Sequence, residues 1–364
     1  MRPALVAALI CAACACSTTA PAATTTAAAA TATASRISYP GASPPGYIGR
    51  YAIMRHGGAG VELVDEARGN VVAGTIVVPG SFRPHQFLPW VSASRTRAYL
   101  LDGGGQVNFL APDGTTGGVT SITLTANQEA SIAVSPDDQR MAVSVFSYQA
   151  SSDAAPRSFT YLGMRLYVED LKGGTNHAEI FTSTSVAEFP VGWVGGKLVV
   201  AVTPPVICCV ANPIANPYWA TEYHVVDPAN GHRITALCGH AGSVPVGPLE
   251  PFGVMCDGVP PQFLRWDGTA FPAPAAVPYT GDDGLAVSPD GTKVLVGGTP
   301  IRVLSREPDF LFAMNGYSWG WVDATHVVVQ DFSGNFWLMD PRDGKGVQLP
   351  GETGYLGNLP AAIS

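Results

Sequence analysis

The sequence predicts an all-β fold: a single β-propeller of about seven four-stranded antiparallel blades. Three observations carry this. Two kinds of turn alternate along the chain, short apolar strands flank each turn, and the pattern returns at roughly propeller-blade spacing. Composition agrees. The 364 residues include 41 Gly and 31 Pro, only 13% are charged, and 46% are hydrophobic. Many short buried strands joined by uncharged turns need that balance.

The N-terminus comes first in the chain and reads as an address. One positive charge at Arg2 precedes an apolar run from Ala4 to Ala13. That run is half of the ~20 residues a spanning helix needs. It suits an export signal instead. Cys11, Cys14 and Cys16 crowd its end. From Ser17 to Ser35 the chain is almost wholly Ala, Thr, Ser and Pro, a composition that cannot bury a core. The expected division is a signal at 1–16, a tether at 17–48 and a propeller at 49–364.

The first turn type follows an apolar strand with Asp and then Gly. It occurs at Asp65 with Gly69, Asp113 with Gly114, Asp170 with Gly173, Asp227 with Gly231, Asp267 with Gly268 and Asp340 with Gly344. Asp caps such a turn through its side chain, and Gly takes positive φ without steric cost. The spacing from Gly268 to Gly344 is about double that from Gly231 to Gly268, so a degenerate copy is expected inside it.

The second turn type lies upstream of the first in each unit. Ile132-Ala133-Val134-Ser135-Pro136-Asp137-Asp138 precedes a strand at Met141–Phe146, and Leu285-Ala286-Val287-Ser288-Pro289-Asp290-Gly291 precedes one at Val294–Val296. Trp90-Val91-Ser92, Trp193-Val194-Gly195 and Trp321-Val322-Asp323 are looser copies. Insertions at Gln149–Ser158 and Thr203–Ala220 interrupt the regularity, and interrupting loops tend to be functional.

These Ser-Pro-Asp-Gly and Asp-x-x-x-Gly units resemble the WD-repeat-like propeller repeats of the TolB type, best at Ser131–Thr182 and from Gly284 onward. The resemblance implies the propeller architecture and no partner. Likewise, Cys11-Ala12-Ala13-Cys14 resembles the bacterial lipoprotein signal, in which small residues precede a lipidated Cys. It implies lipidation at Cys14, with Cys16 as the alternative. The protein would then be exported and lipid-anchored in the cell membrane, facing the periplasm or the cell exterior.

Four cysteines remain in the body: Cys208, Cys209, Cys238 and Cys256. In an exported protein an even count suggests disulfides, here between the fourth and fifth blades. Cys and His show no tight ligand spacing, so no metal is expected. Gly316-Tyr317-Ser318-Trp319-Gly320 matches a serine-hydrolase pattern. That chemistry needs a strand-to-helix turn with an acid and a His later in the chain. Here the segment reads as the entry into an inner strand, and no catalytic residue is assigned. The three tryptophans at one repeat position, Trp90, Trp193 and Trp321, read as packing between blades, opposite small Ala133 and Ala286. Asp137-Asp138 and Asp282-Asp283 read as solvated turn residues, since calcium needs a denser oxygen cluster. No phosphate-binding glycine loop opens a helix, so no cofactor is expected.

The net charge of −8 with no Lys/Arg cluster excludes nucleic acid as the expected partner. The expected function is an extracytoplasmic, membrane-tethered binding or scaffold module, monomeric, for a protein or glycan ligand. The alternative is a propeller enzyme, a lyase or hydrolase acting on glycans at the central funnel. One expectation concerns closure. The first blade lacks an inner strand, because Pro40, Pro44 and Pro45 disfavour a ladder position. The tail Gly354–Leu359 should supply it.

Overall fold

A computed structural model describes residues 50–57, 59–77, 90–150, 159–203, 220, 222–238, 254–256, 262–271, 285–288, 290–297, 300–305, 312–350 and 354–359. All of them belong to the Ala34–Ser364 unit. They form an all-β propeller of antiparallel sheets, numbered here in chain order.

Sheet 1 holds β1 (Tyr51–His56), β2 (Gly60–Asp65) and β3 (Asn70–Ile76). Sheet 2 holds β4 (Val91–Ala93), β5 (Ala98–Leu101), β6 (Gln106–Leu110) and β7 (Thr116–Ser121). Sheet 3 holds β8 (Gln128–Val134), β9 (Arg140–Ala150), β10 (Phe159–Asp170) and β11 (Ala178–Ser183). Sheet 4 holds β12 (Ala187–Val194), β13 (Lys197–Thr203), β14 (Glu222–Val226) and β15 (Arg233–Cys238). Sheet 5 holds β16 (Val254–Cys256), β17 (Gln262–Leu264) and β18 (Ala270–Phe271). Sheet 6 holds β19 (Leu285–Val287), β20 (Lys293–Val296), β21 (Ile301–Ser305) and β22 (Phe312–Met314). Sheet 7 holds β23 (Gly316–Trp321), β24 (Val327–Asp331), β25 (Phe336–Met339) and β26 (Gly346–Leu349).

The last strand, β27 (Gly354–Leu359), returns to sheet 1 and pairs antiparallel with β1, with Tyr51 opposite Leu359 and Arg55 opposite Gly354. The sheet order is β27-β1-β2-β3. The C-terminal tail therefore supplies the inner strand of sheet 1, as expected from the sequence. Pairing removes the open edge that β1 would otherwise present.

Sheet 5 departs from the four-strand expectation, with three strands among the described residues. The segment after Phe271 lies outside them. β9 runs to Ala150 and β10 begins at Phe159, so Gln149 and Ala150 of the expected insertion lie within a strand and the rest of it lies outside the described residues.

Both turn types behave as their residues dictate. In the first, the Asp65 carboxylate accepts from Ala67 N at 2.9 Å while Gly69 N donates to the Asp65 carbonyl at 2.7 Å. Asp227 with Gly231 and Asp340 with Gly344 repeat this geometry. In the second, Ser135 Oγ accepts from Arg140 N at 2.8 Å, and Ser288 Oγ accepts from Lys293 N at 3.0 Å.

Buried clusters bridge neighbouring sheets. Tyr51, Ile53 and Leu63 of sheet 1 pack with Val91 and Leu100 of sheet 2. Ala52, Met54, Val64 and Tyr355 pack with Phe336 and Leu338 of sheet 7. The inner strands touch in sequence, β27 with β4, β4 with β8, β8 with β12, β16 with β19 and β19 with β23. The tryptophan position serves these contacts. Trp193 is buried and its Nε1 donates to the Ala133 carbonyl at 3.0 Å, so the large ring of one sheet caps the small residue at the same position in the previous one. Trp321 packs on Leu295, Ile301 and Val303 of sheet 6. Trp90 packs against the cluster of sheets 1 and 2.

Candidate functional site

Strand direction divides the propeller into two rims. The first-to-second and third-to-fourth turns of each sheet lie on one rim, which carries Asp65, Asp227 and Asp340. The opposite ends of those strands form the other rim. Tyr51 is level with Asp65, so the chain enters β1 from the rim of the Asp–Gly turns.

A cleft of about 490 Å³ lies at the opposite rim, over the end of sheet 3. Its lining crosses all four strands. Gln128 comes from β8, Ser147 from β9, Leu162 and Arg165 from β10, and Thr182 from β11. Val145, Arg165 and Thr182 are register partners and share one face of the sheet. Val145 packs with Tyr99 and Leu101 of sheet 2, so this is the face turned toward sheet 2.

A β-bulge shapes the cleft. The pairing of β10 with β9 shifts between Tyr161 and Gly163. Gly163 has φ 147, and a Cβ there would meet the Ser183 carbonyl at 3.0 Å. Bulges re-aim side chains, and Leu162, beside this one, is 49% exposed. Gln128 is held in place from both ends of its amide. Its Nε2 donates to Ser147 Oγ at 3.0 Å, and its Oε1 accepts from Thr125 N at 3.0 Å. The Arg165 guanidinium sits 3.6 Å from a Glu179 carboxylate oxygen and over the Tyr167 ring. The lining thus offers hydroxyls, one amide, one guanidinium and one exposed aliphatic side chain. Such groups can hydrogen-bond to a ligand and pack on its apolar parts.

Ionisable groups concentrate elsewhere in sheet 4. Glu188 of β12 is buried and carries two partners, an imidazole and a guanidinium. His224 Nδ1 lies 3.2 Å from one of its oxygens, and Arg233 pairs with the other. His224 Nε2 lies 3.0 Å from Glu222. The hydrogen bond to Glu188 pushes the His224 imidazole up, with Glu222 adding to it against the opposing effect of burial. The Arg233 guanidinium covers the Phe181 ring of sheet 3 at 4.5 Å. This network ties sheet 4 to sheet 3 and gives each carboxylate oxygen of Glu188 a partner.

The residues singled out in the sequence fall as follows. Cys14, Cys16, Cys208 and Cys209 lie outside the described residues. Cys238 ends β15 and Cys256 ends β16, in sheets that touch; their side chains are also outside the description, and no disulfide is present among the described residues. Ser318 lies within β23, an inner strand and not a strand-to-helix turn. His326 is held 3.0 Å from Asp323, on the same turn. No group of three His, Cys, Asp or Glu among the described residues is placed to hold a metal ion. The cleft residues went unnoticed in the sequence. The available signal was a glycine, Gly163, inside a strand beside an insertion.

No family model matches the chain, and no curated protein matches it. Solved structures similar to it include BamB from Moraxella catarrhalis and AztD from Citrobacter koseri, both β-propeller proteins. BamB is 13% identical, with TM-score 0.40, covering 79% of this chain and 80% of its own. AztD is 14% identical, with TM-score 0.44, covering 83% of each chain.

Proposed function

We propose that this protein is an exported propeller of seven blades, tethered to the membrane by a lipid on Cys14 or Cys16. In this reading it binds a protein or glycan ligand at the rim away from the tether. The observation that carries it is the opposition of the two rims: the chain enters β1 at the Asp–Gly rim, and the cleft opens at the other. A chain running from a lipid through an Ala/Thr/Pro tether into that first rim would present the cleft outward. The TolB-type repeats and the lipoprotein signal belong to this reading, as does a disulfide between blades 4 and 5 drawn from Cys208, Cys209, Cys238 and Cys256.

Site-specific photocrosslinking in cells tests the reading. A crosslinking residue at Leu162 is expected to give a discrete adduct, one at Lys345 on the opposite rim none, and Thr182→Val with Ser183→Ala is expected to remove the Leu162 adduct. Equal crosslinking from both rims refutes the assignment. A palmitate analogue is expected to label the wild type and not the Cys14→Ala, Cys16→Ala double variant; an unlabelled wild type refutes the tether.

A further inference from the structure

The ring closes where the first and last described strands meet, and the seam beside that junction holds buried ionisable groups. Glu66 directly follows β2, is 5% exposed, and its N–H donates to the Arg50 carbonyl at 3.1 Å. Tyr355 of β27 is 5% exposed. One carboxyl oxygen of Glu66 and the Tyr355 hydroxyl are both buried without a hydrogen-bond partner. Arg50 pairs across the seam with Asp323, which also accepts from His326 N at 2.8 Å and lies beside the His326 ring. The groups acting on Glu66 are Arg50 ahead of β1, Asp65 at the end of β2 and His326 on the β23–β24 turn; Glu66 in turn acts on Tyr355 of β27, and Asp323 holds Arg50 and His326. Asp340 and Arg342 of the β25–β26 turn also act on His326.

We infer that Glu66 is a pH-sensitive latch on ring closure: its neutral carboxyl keeps β27 seated between β1 and sheet 7, and its ionisation loosens that strand. Ionising a buried carboxyl that has an oxygen without a hydrogen bond is costly, and opening the seam to water relieves the cost. Burial pushes the Glu66 carboxyl up to about 7, against the pull of Arg50 and His326 and with the push of Asp65. The Tyr355 phenol is pushed well up by its own burial, with Glu66 adding, so the phenol stays neutral beside it. The ordinary value of 4.5 returns when the seam opens. The closed state thus binds more protons than the open one between those two values. Closure is fully favoured below the lower value and weakens as pH rises through the upper one.

Hydrogen exchange on the full chain tests this, read on the Gly354–Leu359 peptide and corrected for intrinsic chemistry. With carboxyl values of 4.5 open and about 7 closed, opening of β27 is expected to increase on the order of 30-fold between about pH 5.5 and about pH 8.5. Glu66→Gln, which keeps the shape and removes the charge, is expected to abolish that change and hold the high-protection state at both values. Tyr355→Phe leaves the carboxyl in place and is expected to retain the pH response. The Arg140–Ala150 peptide of sheet 3 serves as reference and is expected to stay constant. Equal β27 protection in the wild type at both pH values overturns the latch. So does a pH response that survives Glu66→Gln, one that disappears in Tyr355→Phe, or one shared equally by the sheet 3 peptide.

Discussion

Asp138 shows how a single residue can break a local rule to serve a distant contact. The last position of the Ser-Pro-Asp-Gly turn takes the left-handed conformation, and Gly291 does so with φ 69. Asp138 occupies the same position with φ 59, where a side chain is strained. Its carboxylate reaches sheet 2, accepting from Thr96 Oγ1 at 2.7 Å and from Tyr99 OH at 2.7 Å. That phenol is pushed up chiefly by burial and next by the Asp138 hydrogen bond. The residue thus exchanges backbone ease for a link between blades. Asp138→Ala keeps the strain and loses both bonds, for an expected cost of about 2 kcal/mol. Asp138→Gly loses the bonds but relaxes the backbone, and is expected to recover about half of that. Denaturant midpoints at constant slope measure both. An Ala variant as stable as the Gly variant would contradict the account.

Among the elements, the Asp–Gly turns look alike in sequence yet differ in what their glycines meet. Gly114 has φ 81 and open space where a Cβ would stand. Gly231 has φ 74, and a Cβ there would lie 2.3 Å from the Ile180 carbonyl of sheet 3. Its turn is thus also a point of close approach between blades. Gly114→Ala pays only for conformation, about 1 kcal/mol. Gly231→Ala must also push two sheets apart, and a cost of about 3 kcal/mol is expected. Thermal unfolding of the two variants side by side decides the matter; equal losses would mean that the seam between sheets 3 and 4 yields freely. The repeat pattern foretold both turns, because turn chemistry is local. It could not distinguish them, because the clashing carbonyl belongs to another blade.

The whole molecule depends on six residues at its end. β27 buries Tyr355 and Leu359 and covers the edge of β1. Each buried apolar side chain of that size is worth ~2 kcal/mol, but the strand's greater role is topological. Without it, sheet 1 loses its inner strand and the cluster it shares with sheet 7 opens to water. Truncation before Gly354 is expected to split one cooperative thermal transition into a broad, lower one. A synthetic peptide of residues 354–364, added in trans, is expected to restore it partly by re-pairing with β1. A truncated chain that melts as sharply and as high as the full one would show that the ring closes without this strand.

This closure was legible in the sequence for a simple reason. Prolines at 40, 44 and 45 disfavour a ladder position ahead of Tyr51, and the segment 354–359 follows the last strand of sheet 7. Turn types, strand alternation and the tryptophan-for-alanine exchange between blades were equally readable, since each rests on the steric and hydrogen-bonding habits of a few neighbouring residues. The tertiary structure alone decided what meets across the seams. It placed Glu66 beside Tyr355, Arg50 on Asp323, His224 on Glu188, and Gln128, Arg165 and Thr182 around one cleft. Those encounters depend on how each sheet packs against the next, and no local pattern in the chain encodes that register.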